Sequence, residues 1–113
     1  LRAFARLLQN QCRASDVAAR YGGEEFILAL ADVTPERATW ALERVIDEVR
    51  ELALSFHGKV IPVTASAGLV HVSDLDDPAP TPDGLITEAD RRLYRAKRSG
   101  RNCLVDASGA SPL

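Results

Sequence analysis

Methionine is absent from the 113 residues, so Leu1 is not expected to be a translation start. The chain is expected to be the downstream piece of a longer or processed product. Cysteine is scarce. Cys12 and Cys103 are too few for a disulfide scaffold and read as small core residues. No apolar run approaches the roughly 18–20 residues of a membrane-spanning helix. No charged leader precedes an apolar stretch as in a signal peptide. Aromatic residues make up 5% of the chain, and the single tryptophan, Trp40, lies off the apolar stripe of its segment. Excess charge of one sign is also lacking. Fourteen Lys+Arg stand against 16 Asp+Glu, a net charge of -2, which excludes the strongly basic coat of a general nucleic-acid binder.

What is present begins with apolar residues, at 46%. That is too many for a disordered chain, and the length suits one core. Lysine occurs only at Lys59 and Lys97; the other basic residues are arginines. Arginine suits bidentate phosphate or carboxylate recognition, but a compositional bias, with alanine also abundant, accounts for the bulk of them, so only those placed in motifs carry an argument.

Leu1, Phe4, Leu8 and Cys12 fall near helical spacing and predict the end of an amphipathic helix. Val17 to Tyr21 and Phe26 to Leu30 read as two strands, the second covered on both faces, joined by the Gly22-Gly23-Glu24-Glu25 turn. Thr34-Pro35-Glu36 is a helix start. The stripe Ala38, Leu42, Val45, Ile46, Val49, Leu52, Ala53 predicts a helix running to His57-Gly58, with Gly58 as its stop. Val60 to Val72 reads as a strand, jointed near Gly68, and Ser73 to Pro82 as a loop. A last helix runs from about Asp83 to Lys97, with Leu85, Ile86, Ala89, Leu93 and Ala96 inward, before a closing strand at Asn102 to Val105. Residues 106–113 read as a frayed tail. The order α-β-β-α-β-α-β predicts an α+β fold, a mixed sheet flanked by helices.

Three constellations carry chemistry. Gly22 and Gly23 let a phosphate approach backbone N–H groups, and Glu24 and Glu25 supply oxygen ligands for a hard cation; the same four residues also make an ordinary solvated turn. Asp90, Tyr94, Lys97 and Arg101 are spaced four, three and four apart, and Lys97 and Arg101 stand at a helix end where both could reach a phosphate. Cations there also simply suit the helix dipole. Arg13 and Asp16 are three apart; they could read a guanine or close a local salt bridge. His57 and His71 lack partners at metal or triad spacing and read as incidental.

Taken together, these segments resemble the GGDEF domain of diguanylate cyclases. Arg20-Tyr21-Gly22-Gly23-Glu24-Glu25-Phe26 is similar to the signature loop in its Glu variant. Ala89 to Asn102 resembles the closing helix and turn, Arg13 to Asp16 the RxxD inhibitory site, and Val63 to Gly68 the central strand. The resemblance runs from Leu1 to about Val105, making residues 1–105 a partial domain.

The resemblance implies a nucleotidyl-cyclase-like fold with a ferredoxin-like core, here truncated at its N-terminus. It implies condensation of two GTP into cyclic di-GMP with release of two pyrophosphates, one GTP presented by each subunit of a homodimer. Glu24 would be a metal ligand, for Mg²⁺ or Mn²⁺, and Glu25 the adjoining catalytic acid. Gly22, Gly23, Lys97 and Arg101 would hold the triphosphate. Arg13 and Asp16, with Arg44 as a second arginine, would bind product for feedback inhibition. The family's first strand and helix, which carry a further metal-binding aspartate and the guanine-binding residues, normally precede this region. The chain alone is therefore expected to be inactive, to expose apolar strand surface, and to be held together by a partner copy or a strand exchange. A sensor or receiver domain is expected upstream, in a cytoplasmic protein that an upstream segment could anchor to a membrane. The other reading is a catalytically inactive domain that serves as a cyclic di-GMP receptor or a GTP-binding regulator.

Overall fold

The computed structural model describes residues 2–52, 54–56 and 58–110. Their order is α1 (Arg2–Gln11), β1 (Val17–Gly22), β2 (Glu25–Ala29), α2 (Pro35–Arg50), β3 (Leu54–Phe56), β4 (Lys59–Ile61), β5 (Ala67–Gly68), a 3-10 turn (Val72–Asp74), α3 (Pro82–Arg98), β6 (Leu104–Asp106) and β7 (Gly109–Ala110). The fold is α+β, as the patterning predicts. Among the described residues the strands form three separate groups: the antiparallel pairs β1-β2 and β3-β4, and the mixed trio β5-β6-β7. In the trio β5 runs parallel to β6 and β7 antiparallel to it. No helix among the described residues is long and apolar enough to cross a membrane.

Helix α2 starts where its sequence says. The Thr34 hydroxyl accepts from the Arg37 N–H at 3.2 Å, and Pro35 opens the first turn. Its buried stripe of Ala38, Val45, Ile46 and Val49 builds the core. Leu8 of α1 packs on Val45 and Val49, together with Phe4, Leu7, Ala18, Phe26, Val63 and Ala65. Phe4 meets Phe26 edge to face at 5.0 Å between ring centres. So α1 is clamped between α2 and one face of the β1-β2 hairpin. A second cluster, Ala96, Cys103 and Val105, joins α3 to β6. Cys103 is buried there and its thiol donates to the Ala96 carbonyl at 3.4 Å; Cys12 is half-buried, and both are free.

Four expectations are corrected. Helix α2 ends at Arg50, not near Gly58. The Glu51 N–H bonds both Asp47 and Glu48 carbonyls, tightening the last turn, and the chain then enters β3. Gly58, at φ +78°, serves the β3-β4 hairpin turn. A helix stop and a hairpin turn both use positive φ, so the glycine marked a turn without specifying which. His57 and Ala53 lie outside the described residues, as does Leu1. The strand expected over residues 60–72 survives only as β4 and β5, because Pro62 has no N–H to continue the ladder past Ile61.

Strand β2 is half-buried rather than covered on both sides. Ala18 and Phe26 pack toward α1, but Val17, on the opposite face, is 60% exposed. Tyr21 is also open, so apolar strand surface is exposed as expected. Finally, residues 106–110 of the expected tail form the end of β6, a turn and β7, while residues 111–113 lie outside the described residues. Ser108 N–H bonds the Asp106 carboxylate, and Ala110 pairs with Val105.

Candidate active site

The β1-β2 hairpin pairs Arg20 with Phe26 and Gly22 with Glu25, which leaves Tyr21 as an extra residue on β1. This bulge shifts the register by one and tightens the tip to Gly23-Glu24. Gly23 sits at φ +52°, left-handed backbone that favours glycine. Arg20 locks that tip: its Nε and Nη2 donate to the Gly23 carbonyl at 3.0 and 2.7 Å. This role is absent from the sequence expectations. Its signal is an arginine three residues before the tip glycine. Glu24 is exposed at the apex, while Glu25 is half-buried at the start of β2.

Helix α3 comes to the hairpin from elsewhere in the chain. Lys97 Nζ lies 3.6 Å from Glu25 Oε1. Two segments more than seventy residues apart in sequence thus converge on one charged surface. Beyond the helix, Gly100, Arg101 and Asn102 all have positive φ, at +105°, +62° and +49°. Two consecutive non-glycine residues in that region cost of order 1–3 kcal/mol each. The surroundings hold them there. Arg101 N–H bonds the Ala96 carbonyl at 3.1 Å, Asn102 N–H bonds Ser66 Oγ at 3.1 Å, and Arg50 Nε donates to Asn102 Oδ1 at 2.8 Å. Arg101 is exposed at this fixed corner. Tyr94 turns to other business. Its hydroxyl accepts from Arg98 Nη1 at 3.2 Å, and the Arg98 guanidinium lies over its ring. Asp90 is exposed.

Among the described residues no group of three or more His, Cys, Asp or Glu side chains is placed to hold a metal ion. Glu24 and Glu25 nonetheless fit Mg²⁺ by donor type. It takes oxygen, and it is commonly held by one or two carboxylates together with substrate phosphates and water. His71 is structural. Its Nδ1 accepts from the Ser73 N–H at 3.1 Å, which leaves Nε2–H to donate to the Val33 carbonyl at 2.7 Å.

The Arg13–Asp16 pair is closed on itself. Arg13 N and Nε donate to Asp16 Oδ2 at 2.9 and 3.1 Å; Arg13 Nη2 and Ala31 N donate to Oδ1 at 3.2 and 3.0 Å. Arg13 Nη2 also reaches the Ala31 carbonyl. The Asp16 side chain is 1% exposed and that of Arg13 56%. The hydrogen bonds from Arg13, then from the Ala31 and Arg13 backbone, hold the Asp16 carboxyl well below the usual carboxylate range against the opposing effect of burial. Four bonds fill a carboxylate's acceptor capacity. Asp16 therefore aims Arg13 in this state. Arg44, on α2, bonds Glu48 at 3.3 Å, and Glu48 also takes the Gln11 amide at 3.0 Å. Gln11 stands two residues before Arg13, so Arg44 is one side chain removed from the end of α1 that carries the RxxD turn.

A family model for the diguanylate cyclase GGDEF domain matches residues 1–103. The chain belongs to the GGDEF family. Diguanylate cyclase A of Treponema denticola is 36% identical over 102 residues, 90% of this chain and 27% of that protein. The response regulator PleD of Caulobacter vibrioides is 38% identical over 107 residues, 93% of this chain and 23% of that protein. This GGDEF chain thus spans about a quarter of the length of these relatives. Its structure resembles the diguanylate cyclase SiaD of Pseudomonas aeruginosa, solved with its activator SiaC, at TM-score 0.80 and 38% identity, over 91% of this chain and 38% of that one. It also resembles the GGDEF domain of DgcB from Caulobacter crescentus, solved with c-di-GMP, at TM-score 0.86 and 27% identity, over 96% and 63% of the two chains.

Proposed function

We propose that this GGDEF domain is the catalytic domain of a diguanylate cyclase, joining two GTP into cyclic di-GMP and two pyrophosphates. The observation that carries the reading is the Lys97–Glu25 contact, which brings the signature loop and the closing helix together at 3.6 Å. A triphosphate laid between them meets Lys97 and the fixed Arg101 corner on one side and the backbone of Gly22 and Gly23 on the other. Phosphoryl transfer asks a protein mainly for positioning and charge neutralisation, and these groups supply both.

In each half-reaction the 3′-oxygen of one GTP bonds to the α-phosphorus of the other. The bond from that phosphorus to the bridging oxygen breaks, pyrophosphate leaves, and the hydroxyl proton passes to solvent or to a carboxylate. Glu24, open at the apex, would hold Mg²⁺ or Mn²⁺ by one carboxylate. That ion, when bound, offsets charge on the phosphates. Glu25 is shared between the site and Lys97. The pair is exposed enough that it binds weakly, so an incoming triphosphate can take Lys97 from it. One chain offers one such set of groups, so the second GTP comes from a second copy. A cytoplasmic location, where GTP is available, and an upstream sensor or receiver domain are part of the same reading. Product inhibition is part of the reading, with Arg13, Asp16 and Arg44 as the contact groups.

The test follows nucleotides by chromatography after GTP and Mg²⁺ are added to the domain extended upstream of Leu1 to include the family's first strand. Cyclic di-GMP from the unaltered protein, and none from a folded Glu24→Ala variant, is the expected result. GTP bound but unconsumed by a folded dimer would refute the enzymatic reading and leave the receptor or regulator.

A further inference from the structure

Arg50 is the last residue of α2, yet its guanidinium grips the turn that follows α3. Nε donates to Asn102 Oδ1 at 2.8 Å, and Nη2 reaches the Asn102 carbonyl at 3.5 Å. Nη1 is taken by Asp47, one turn back on α2. The fork thus holds side chain and main chain of one residue, while its own helix steadies the rest of it. Such planar, charge-assisted contacts fix orientation as well as distance.

The gripped residue closes the run of positive φ from Gly100 to Asn102. Arg101 and Asn102 carry a Cβ and do not favour that backbone. The Arg101 N–H is closed onto Ala96 at the end of α3. Asn102, by contrast, is anchored from distant segments, through Ser66 and Arg50. Arg101 lies between those anchors, and its exposed side chain leaves the chain in the direction the corner dictates. If Asn102 relaxed to ordinary backbone, Arg101 would swing with it. A cation at the end of α2 also suits the helix dipole, but the dipole does not ask for a fork on Asn102.

This inference rests on the reading of Arg101 as a group that holds the triphosphate. We propose that Arg50 is a positioning residue of the triphosphate site. It acts through Asn102 to keep the corner that aims Arg101, so the end of α2 supports the site without touching the ligand. Small misplacements of a binding group are costly, because the contact must be made in one geometry.

The test measures binding of the α,β-methylene analogue of GTP, with Mg²⁺, by calorimetry on the domain extended upstream of Leu1. The methylene bridge blocks release of pyrophosphate, so binding is read apart from turnover. Thermal melts first establish that each variant is folded at the assay temperature. Arg50→Ala should weaken binding about tenfold, the scale of one lost charge-assisted contact. Arg50→Lys, which keeps the charge and the dipole partner but not the fork, should weaken it nearly as much. The Arg50→Ala, Arg101→Ala double variant should bind no worse than Arg101→Ala alone, because Arg50 acts through Arg101. Unaltered affinity in Arg50→Ala, full rescue by Arg50→Lys, or additive losses in the double variant each overturn the positioning role. Analogue binding with this pattern, in a protein that forms no cyclic di-GMP from GTP, sustains the positioning role while the enzymatic reading falls. Absence of analogue binding to the unaltered protein overturns both.

Discussion

Asp16 takes hydrogen bonds from two places in the chain, Arg13 just before it and Ala31 beyond the hairpin. The spacing Arg13-x-x-Asp16 offered a guanine reader or a local ion pair, and the structure contains the ion pair. A further partner, Ala31, lies fifteen residues away, just beyond β2. Only the hairpin's return brings it there, and no local pattern encodes that. Because the folded state depresses the Asp16 pKa, its stabilising contribution is present above the unfolded value near pH 4 and is lost as pH falls toward the folded value. Asp16→Asn should therefore lower the melting temperature at pH 7, and the gap to the unaltered protein should narrow as pH drops below about 4. Thermal melts at a series of pH values read this directly. A gap that holds constant through pH 3 would mean that the carboxylate's charge contributes nothing.

At the level of elements, helix α3 was legible as a helix and opaque as a packing surface. Its apolar positions predicted the inner face, yet the residue most buried beside Ala96 is Arg92. Arg92 Nη1 donates to Asp74 at 2.9 Å and to the Leu69 carbonyl at 2.7 Å, and its Nε donates to Glu88 at 2.8 Å. A hydrophobicity pattern assigns such a residue to solvent, because its burial depends on partners from another segment. Strand β5 explains how those partners come so close. A Cβ placed on Gly68 would lie 2.2 Å from the Ala89 carbonyl oxygen and 2.3 Å from the Leu93 nitrogen, both backbone atoms of α3. The sequence marked Gly68 as a joint in a strand; the structure makes it the point where strand and helix backbones touch. Gly68→Ala should destabilise the domain by about 1–3 kcal/mol or more, since neither backbone can yield cheaply. Urea unfolding would show a lowered midpoint at unchanged slope. A midpoint equal to that of the unaltered protein would mean that α3 can shift without cost.

For the whole molecule, local signals found the pieces and tertiary contact assembled the site. The loop Gly22 to Glu25 and the helix end at Lys97 to Arg101 were each readable alone, and each alone had an ordinary explanation. Their convergence through Glu25 and Lys97 is what favours a shared ligand. The same assembly limits what one chain can do. It brings together a single tip carboxylate pair and a single Lys97–Arg101 corner, enough for one triphosphate, while the proposed reaction consumes two GTP. On the proposed reading, catalysis requires two copies to face each other, and the active species is set by mass action. The catalytically competent domain should show specific activity that rises with protein concentration and levels off above the dimer dissociation constant. Initial rates of cyclic di-GMP formation across a dilution series, compared with the dimer fraction from sedimentation, measure this. Specific activity that stays flat while sedimentation shows dimer giving way to monomer would mean that one chain handles both nucleotides, and the two-copy geometry would have to be abandoned.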